Sequence, residues 1–218
     1  MTSTDPAPVD PAPAAPPTGQ LRRVRLLLWA AVLLAGLAGA VLYLIVERRT
    51  PSPADSYASA FGGRFTMTDQ HGRTVTERTL RGKPYAIFFG FTRCPDVCPT
   101  SLSHMARLRQ QLGAAGDGFN IVFVSVDPEH DRREDIGRYL EMFDTPIIGL
   151  TGNTAETERI VKAFHVYYAK VPVAGGSYTI DHTASIFLMD AQGRFVTTID
   201  YHEAPDVALA KLRRIVPG

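Results

Sequence analysis

Hydrophobic residues follow two different patterns along this chain of 218 residues. Residues 26–46 form one apolar run without a charged residue, whereas the chain beyond residue 60 alternates short apolar runs with amphipathic stretches. A helix of about 20 apolar residues spans roughly 30 Å, the thickness of the hydrocarbon core of a bilayer. The pattern therefore predicts one N-terminal transmembrane helix, followed by a separate globular domain.

Two runs within the globular part indicate buried strands. Residues 85–92 and 121–126 are apolar at nearly every position, which is typical of strands covered on both faces of a sheet. Shorter runs predict strands at 65–68, 147–150, 178–180, 184–189 and 194–199, and apolar stripes predict helices at 101–112, 131–143, 153–164 and 206–215. This alternation predicts an α/β sandwich with a mixed central sheet.

The segments around the apolar run divide the rest of the chain. Residues 1–25 begin with a proline-rich stretch that lacks aromatic residues, so we expect a disordered tail. A cleaved signal peptide is the alternative for residues 26–46, but the run is longer than a typical signal core and about 25 residues precede it. We therefore predict an uncleaved anchor at 26–46, a linker at 47–60 and one domain at 61–218.

The charge of the chain narrows the range of partners. The formal net charge is +1, and no stretch beyond residue 60 is strongly basic, which argues against a nucleic acid as the main partner. Gly175 and Gly176 precede a predicted strand rather than a helix, so they do not form a phosphate-binding loop. Arginines flank both ends of the apolar run, and their small excess before it weakly favours a cytoplasmic N-terminus.

The only two cysteines, Cys94 and Cys98, lie between a predicted strand and a predicted helix. Pro99 is suited to the first helical position, which would place Cys98 near the N-cap. The positive end of the helix dipole should lower the pKa of both thiols. Such a pair is compatible with a metal site that uses both cysteines as ligands, with a redox-active dithiol and with a small structural disulfide.

The spacing of the cysteines and the supply of histidines favour a metal. Three residues separate Cys94 from Cys98, one more than in thioredoxin-type pairs, and soft thiolates select Cu(I) or Zn(II). Structural zinc usually takes four protein ligands, whereas copper accepts two cysteines and one histidine. Among the six histidines His182 is the best candidate, because it precedes an apolar strand and follows a glycine-containing stretch.

Three motifs together resemble the Sco/SenC/PrrC family. They are the segment 90–99 (Gly-Phe-Thr-Arg-Cys-Pro-Asp-Val-Cys-Pro), the segment 126–129 (Val-Asp-Pro-Glu) and the segment 181–183 (Asp-His-Thr). The resemblance covers about residues 60–216 and implies a membrane-tethered, thioredoxin-like copper chaperone for cytochrome c oxidase assembly. Arg93 departs from the family pattern, because many members carry histidine there.

The resemblance also implies roles for individual residues. Cys94, Cys98 and His182 would bind copper as Cu(I) or Cu(II), and Asp127 and Asp181 would be nearby acidic groups that are not ligands. The copper would pass to the dinuclear copper site of an oxidase subunit. The family further implies a domain in the periplasm or in the mitochondrial intermembrane space, and the composition and the short anchor favour a single-pass protein of a bacterial plasma membrane.

A thiol–disulfide oxidoreductase is the alternative function. Cys94 and Cys98 would then form a redox-active disulfide and reduce the cysteines of the oxidase copper site, so the sequence leaves enzymatic activity open. No proline stands at the start of the strand that follows His182, where thioredoxin-like reductases carry one, and this disfavours the alternative. Further expected partners are another copper chaperone, a thioredoxin-like reductant and, through the anchor, membrane lipid.

Overall fold

A computed structural model of the chain describes residues 18–49 and 58–216. The chain divides into two units, Met1–Pro51 and Ser52–Gly218. The described part of the first unit is a single helix, α1 (Thr18–Arg49). Its stretch Leu21–Val46 has a mean hydropathy of 2.3 and is long and apolar enough to cross a membrane, judged by length and composition.

Helix α1 is longer than the sequence predicts at both ends. Residues 18–25 are helical although we placed them in the disordered tail, and residues 47–49 are helical although we placed them in the linker. No proline occurs between Pro17 and Pro51, so nothing in this interval removes a helical hydrogen bond. The rest of the predicted tail, 1–17, and most of the predicted linker, 50–57, lie outside the described residues.

The second unit is built on a mixed sheet of seven strands. In chain order these are β1 (Thr66–Asp69), β2 (Thr74–Thr76), β3 (Tyr85–Gly90), β4 (Asn120–Ser125), β5 (Ile147–Thr151), β8 (Ile186–Met189) and β9 (Phe195–Ile199). Their spatial order is β2-β1-β5-β4-β3-β8-β9, in which β3, β4 and β5 are parallel and the remaining pairings are antiparallel. The predicted mixed α/β architecture is thus confirmed.

Two further strands form a ribbon outside this sheet. Strands β6 (Tyr168–Pro172) and β7 (Tyr178–His182) pair only with each other, in antiparallel register. The sequence predicted part of β7 and missed β6, because the residues of β6 are half-buried or exposed and show no apolar alternation. We call this pair the β6–β7 ribbon.

Four helices surround the sheet: α2 (Val97–Gln111), α3 (Arg133–Leu140), α4 (Thr154–Ala163) and α5 (Pro205–Arg213). Helix α2 contacts α5, and α3 lies against β5. The close approach of α3 depends on Gly149, because a Cβ atom there would lie 2.3 Å from Ile136 Cγ2. Short 3₁₀ helices follow α2 and α3 at Gly113–Gly118 and Glu141–Phe143.

The hydrophobic core of the second unit is self-contained. Every buried residue of the described chain lies between Phe65 and Val216, and all six residues of β3 are buried. None of this core comes from α1, whose described side chains are exposed. The domain therefore has what it needs to fold without the N-terminal helix.

Candidate metal centre

The structure brings Cys94, Cys98 and His182 together. Their ligand atoms all lie within 4.8 Å of one another, and Cys98 Sγ is 3.5 Å from His182 Nε2. No other group of three such side chains in 18–49 or 58–216 has this arrangement. Cys98 is buried and Cys94 is half-buried, so the cluster is open to solvent on the side of Cys94.

The turn from β3 into α2 positions the two sulfurs. The backbone N–H of Cys98 donates to Cys94 Sγ at 3.4 Å, which folds the intervening residues into a compact loop. A Cβ atom on Gly90 would lie only 2.6 Å from Cys98 Sγ, so the last residue of β3 must be glycine for Cys98 to pack there.

Helix α2 begins earlier than the sequence predicts. Its N-cap is Asp96, so Cys98 is the second helical residue rather than the N-cap, and Pro99 is the third rather than the first. Proline is tolerated throughout this first turn, because the N–H groups there have no partner within the helix. Both sulfurs still lie at the N-terminal end of the helix.

The two thiols differ in acidity. A hydrogen bond from the Cys98 thiol lowers the pKa of Cys94 to about 4, in spite of partial burial, and His182 and the backbone N–H of Cys98 add to the effect. The pKa of Cys98 is raised, because this thiol donates to Cys94 and is buried. The prediction that both thiols are acidified therefore holds only for Cys94.

His182, at the end of β7, directs its Nε2 atom toward the sulfurs. Its Nδ1 lies 3.0 Å from the carbonyl oxygen of Thr183, which can only accept a hydrogen bond, so Nδ1 carries the proton. In the neutral ring Nε2, the nitrogen that faces Cys98 Sγ, then keeps a lone pair for a metal ion. A histidine that donates its second N–H to a carbonyl is the usual arrangement of metal-binding histidines. The rings of Phe88 and Phe91, each 5.9 Å from the imidazole, form an apolar wall.

The two acidic residues singled out from the sequence lie in different surroundings. Asp127 is fully buried and forms an ion pair with Arg93 at 2.7 Å. Burial alone would raise the pKa of Asp127, but hydrogen bonds from Arg93, Tyr178 and His130 hold it below its ordinary value.

Asp181 is exposed on β7, where its backbone pairs with Ala169, and its side chain forms no hydrogen bond or ion pair within the described part of the chain. Successive side chains of a strand point to opposite faces, so Asp181 and His182 face away from each other. The structure therefore does not bring Asp181 to the ligand cluster.

Sequence reasoning missed Asp131, which fixes the loop before the cysteines. Its buried carboxylate accepts hydrogen bonds from the Thr92 N–H at 3.0 Å, the Thr92 hydroxyl at 2.6 Å and the Ser125 hydroxyl at 2.6 Å. Burial raises the pKa of Asp131, although these hydrogen bonds oppose the shift. The only signal in the sequence is an acidic residue shortly after a buried strand.

Sequence reasoning also missed Tyr178, which anchors the β6–β7 ribbon. The Tyr178 hydroxyl donates to Asp127 Oδ1 at 2.7 Å and lies 2.8 Å from His130 Nδ1. The Arg93 guanidinium stacks over the Tyr178 ring at 5.2 Å. We call Arg93, Asp127, His130 and Tyr178 the Tyr178 cluster. It joins the loop before Cys94, the loop after β4 and the strand that carries His182.

Comparison with known proteins gives concordant matches. The family model SCO1/SenC matches residues 53–217. "Protein sco1" of Schizosaccharomyces pombe is 38% identical over 139 residues, which cover 62% of this chain and 53% of that protein. The chain thus spans about half the length of this relative.

Two solved structures share the fold of the domain. "Structure of Bradyrhizobium japonicum ScoI with copper bound" is 46% identical with a TM-score of 0.67, and the match covers 72% of this chain and 100% of that chain. "Identification of a disulfide switch in BsSco, a member of the Sco family of cytochrome c oxidase assembly proteins" is 25% identical with a TM-score of 0.58, over 71% and 92% of the two chains. These matches confirm the predicted thioredoxin-like fold.

Proposed function

This chain belongs to the SCO1/SenC family, and on that premise we propose that it is a copper chaperone for cytochrome c oxidase. Copper would be bound by Cys94, Cys98 and His182 and delivered to the dinuclear copper site of an oxidase subunit. The relative from Bradyrhizobium japonicum binds copper, and BsSco is described as a member of a family of oxidase assembly proteins. Copper is the cargo of this activity.

The arrangement of the three ligand atoms carries the proposal. Two sulfurs and one imidazole nitrogen lie within 4.8 Å of one another, and the acidic Cys94 supplies a thiolate at neutral pH. Soft thiolates with one imidazole suit copper, whereas structural zinc would require a fourth protein ligand. The neighbouring carboxylates of Asp127 and Asp131 are already engaged in hydrogen bonds with protein groups.

Differences in exposure suggest the order of transfer. Cys98 is buried beneath the other two ligands, whereas Cys94 and His182 are partly exposed. An incoming thiolate of the partner would form a Cu–S bond as the Cu–N bond to His182 breaks, and the oxidation state of copper would stay unchanged. Cys94 and then Cys98 would be replaced in the same way.

Spectroscopy of His182→Ala tests the ligand set. Wild-type domain with Cu(II) should show sulfur-to-copper charge transfer and nitrogen hyperfine coupling, and the variant should lose the nitrogen signal and bind copper more weakly. His71→Ala is the matched control, because His71 is exposed in the turn after β1. Equal copper affinity of His182→Ala and wild type in both oxidation states would rule out this ligand assignment.

The acidity of Cys94 also supports the second candidate, a thiol–disulfide reductase. Cys94 thiolate would attack a disulfide of the oxidase subunit and release one substrate thiolate. Cys98, after losing its proton, would then attack Cys94, free the second substrate thiolate and leave a Cys94–Cys98 disulfide. The two electrons come from the dithiol of this chain, so a thioredoxin-like reductant must restore it. Turnover of insulin disulfides by metal-free domain would support this activity.

We further propose that α1 is a single-pass anchor in a bacterial plasma membrane, with the domain on the periplasmic side. The apolar stretch Leu21–Val46 supports the anchor. A membrane-impermeant thiol reagent should label Cys94 in intact spheroplasts, and carbonate washing should leave the protein in the membrane. Labelling that requires lysis would contradict the orientation, and release by carbonate would contradict the anchor.

A further inference from the structure

Five exposed arginines gather where the chain enters the domain. Arg64, Arg78, Arg81 and Arg194 line one cleft together with Ala58 and Ser59. Arg64, Arg78 and Arg159 line an adjoining cleft. We call these five residues the arginine face. No stretch of the sequence reveals it, because its members come from separate segments that only the fold brings together.

Nearby carboxylates neutralise this face only in part. Arg194 forms an ion pair with Asp190 at 2.8 Å, and Arg78 lies 3.8 Å from Glu77. The other three arginines form no ion pair within residues 58–216. The face therefore keeps a net positive charge.

The positive charge of the arginine face comes from the placement of charged residues and not from an excess of basic residues in the domain. Residues 58–218 contain 18 lysines and arginines and 18 aspartates and glutamates. Four of the acidic residues, Asp96, Asp127, Glu129 and Asp131, lie in the loops that surround the metal centre. Arg93 and Lys170 neutralise Asp127 and Glu129 at that end. A local excess of positive charge thus lies on the arginine face of a domain that is neutral as a whole, and such an uneven charge distribution can orient a protein at a charged surface.

The arginine face lies at the far end of β3 from the metal centre. Tyr85, the first residue of β3, lines the arginine-rich cleft, whereas Gly90, the last, packs against Cys98. The strand alone separates the two by roughly 17 Å. A ligand on the arginine face would leave Cys94 and His182 accessible.

We propose that the arginine face binds the anionic headgroups of phospholipids. Guanidinium groups match phosphate oxygens in geometry and charge, and several on one face act together near an anionic membrane surface. The face borders Ala58, and only eight residues of sequence separate that residue from the end of the apolar helix α1. Binding would turn the metal centre away from the lipid. The role of this lipid binding in the cell rests on the proposed membrane anchor.

Vesicle binding by the domain without its helix tests this proposal. The domain, residues 53–218, would be sedimented with vesicles of phosphatidylcholine alone or with roughly one-third phosphatidylglycerol, in salt of about 0.1 M and about 0.5 M. We expect binding only to the anionic vesicles and only at the lower salt. Replacing Arg64, Arg78 and Arg81 by Gln should lower the partition coefficient by roughly 100-fold.

The matched control removes the same charge elsewhere. Arg132, Arg133 and Arg138 lie on and before α3, outside the arginine face, and their replacement by Gln should change binding by less than about threefold. Equal binding to neutral vesicles, no binding at low salt, or unchanged binding by the arginine-face variant would each overturn the proposal. If the arginine face instead binds an acidic protein, the domain would not bind the vesicles.

Two further measurements keep the outcome interpretable. The salt dependence of wild-type binding reports on the proposal even if the triple variant folds poorly, because screening weakens exposed charge contacts in the intact protein. The copper spectrum of the arginine-face variant should match that of wild type. If wild-type domain with Cu(II) showed no spectral signal from His182, the proposed function would be refuted, and vesicle binding would be unaffected.

Discussion

At the scale of single residues, the two cysteines of the site differ in burial and in acidity. Cys94 is half-buried and acidic, whereas Cys98 is buried and keeps its proton. The shift of each thiol has the same origin, the hydrogen bond from Cys98 to Cys94. One sulfur is therefore ready to react at neutral pH and the other becomes reactive only when that hydrogen bond is broken.

Alkylation of reduced, metal-free domain by iodoacetamide should show this difference. The pKa of Cys94 is lowered to about 4, so its thiolate is fully formed at pH 6. Its rate should stay nearly constant between about pH 6 and about pH 8, whereas an ordinary thiol would react well over tenfold faster at the higher pH. Peptide mapping by mass spectrometry would give the rate at each cysteine.

Cys98→Ala provides the control for this prediction. The variant lacks the donor that lowers the pKa of Cys94, so the alkylation rate should again rise with pH. A flat profile in the variant would show that another group, rather than the Cys98 thiol, acidifies Cys94.

Gly90 offers a second test at this scale. A Cβ atom at residue 90 would lie 2.6 Å from Cys98 Sγ and 3.1 Å from Phe123, inside a fully buried strand. Gly90→Ala should lower the free energy of unfolding by about 1–3 kcal/mol, because the core would be overpacked. The variant should also bind copper more weakly, because Cys98 must move.

Gly137→Ala is the matched control for Gly90→Ala. Gly137 lies in α3, and the nearest atom to an added Cβ would be 3.9 Å away. An alanine there should instead raise the free energy of unfolding by about 0.5–1 kcal/mol. Denaturant unfolding of both variants would check the opposite signs, and a stabilised Gly90→Ala would contradict the packing argument.

At the scale of elements, the Tyr178 cluster makes the β6–β7 ribbon a positioned part of the site. Tyr178 and His182 share the inward face of β7, with the buried Ile180 between them. The ribbon pairs with no strand of the main sheet. The position of His182 relative to the sulfurs therefore depends on side-chain contacts such as the hydrogen bond from Tyr178 to Asp127.

Tyr178→Phe should loosen the ribbon while the rest of the domain stays folded. The change removes one hydrogen bond to a charged group, a loss of about 1.5 kcal/mol or more, which corresponds to roughly tenfold faster amide exchange in β6 and β7. Tyr167→Phe is the control, because Tyr167 directly precedes β6 and is 60% exposed. Hydrogen–deuterium exchange that is equal in the two variants would contradict the role of the cluster.

Strands that are buried along most of their length were the easiest to predict from the sequence. Strands β3 and β4 were recognisable because nearly all of their residues are apolar, whereas β6 could not be predicted, because none of its residues is buried. Pro99 was expected at the first position of α2 and lies at the third, because proline is compatible with several positions of the first helical turn.

Within the site, the cysteine pair was predictable from local sequence, but its surroundings were not. The contact between Tyr178 and Asp127 joins residues 51 positions apart, and no local pattern specifies such a pairing. The alternation of β7 also separates Asp181 from His182, although the two are neighbours in sequence. Contacts of this kind arise from tertiary packing.

At the scale of the whole molecule, the proposed metal centre joins segments that are distant along the chain. Cys98 and His182 are 84 residues apart, one at the start of α2 and the other at the end of the β6–β7 ribbon. A bound copper ion would hold these elements together. Bound copper should therefore stabilise the whole domain against unfolding.

Thermal unfolding would measure this linkage. A ligand that binds only the native state, at 100 times its dissociation constant, adds about 2.7 kcal/mol, which for a domain of this size raises Tm by roughly 5–10 °C. An unfolded chain still carries Cys94 and Cys98 four residues apart, so copper bound there subtracts from the effect. His182 is the ligand that only the folded chain adds. His182→Ala should thus lose most of the copper-induced rise in Tm, and the control His71→Ala should keep it. If His182→Ala were stabilised by copper as strongly as wild type, the metal would be held by the local cysteine pair alone.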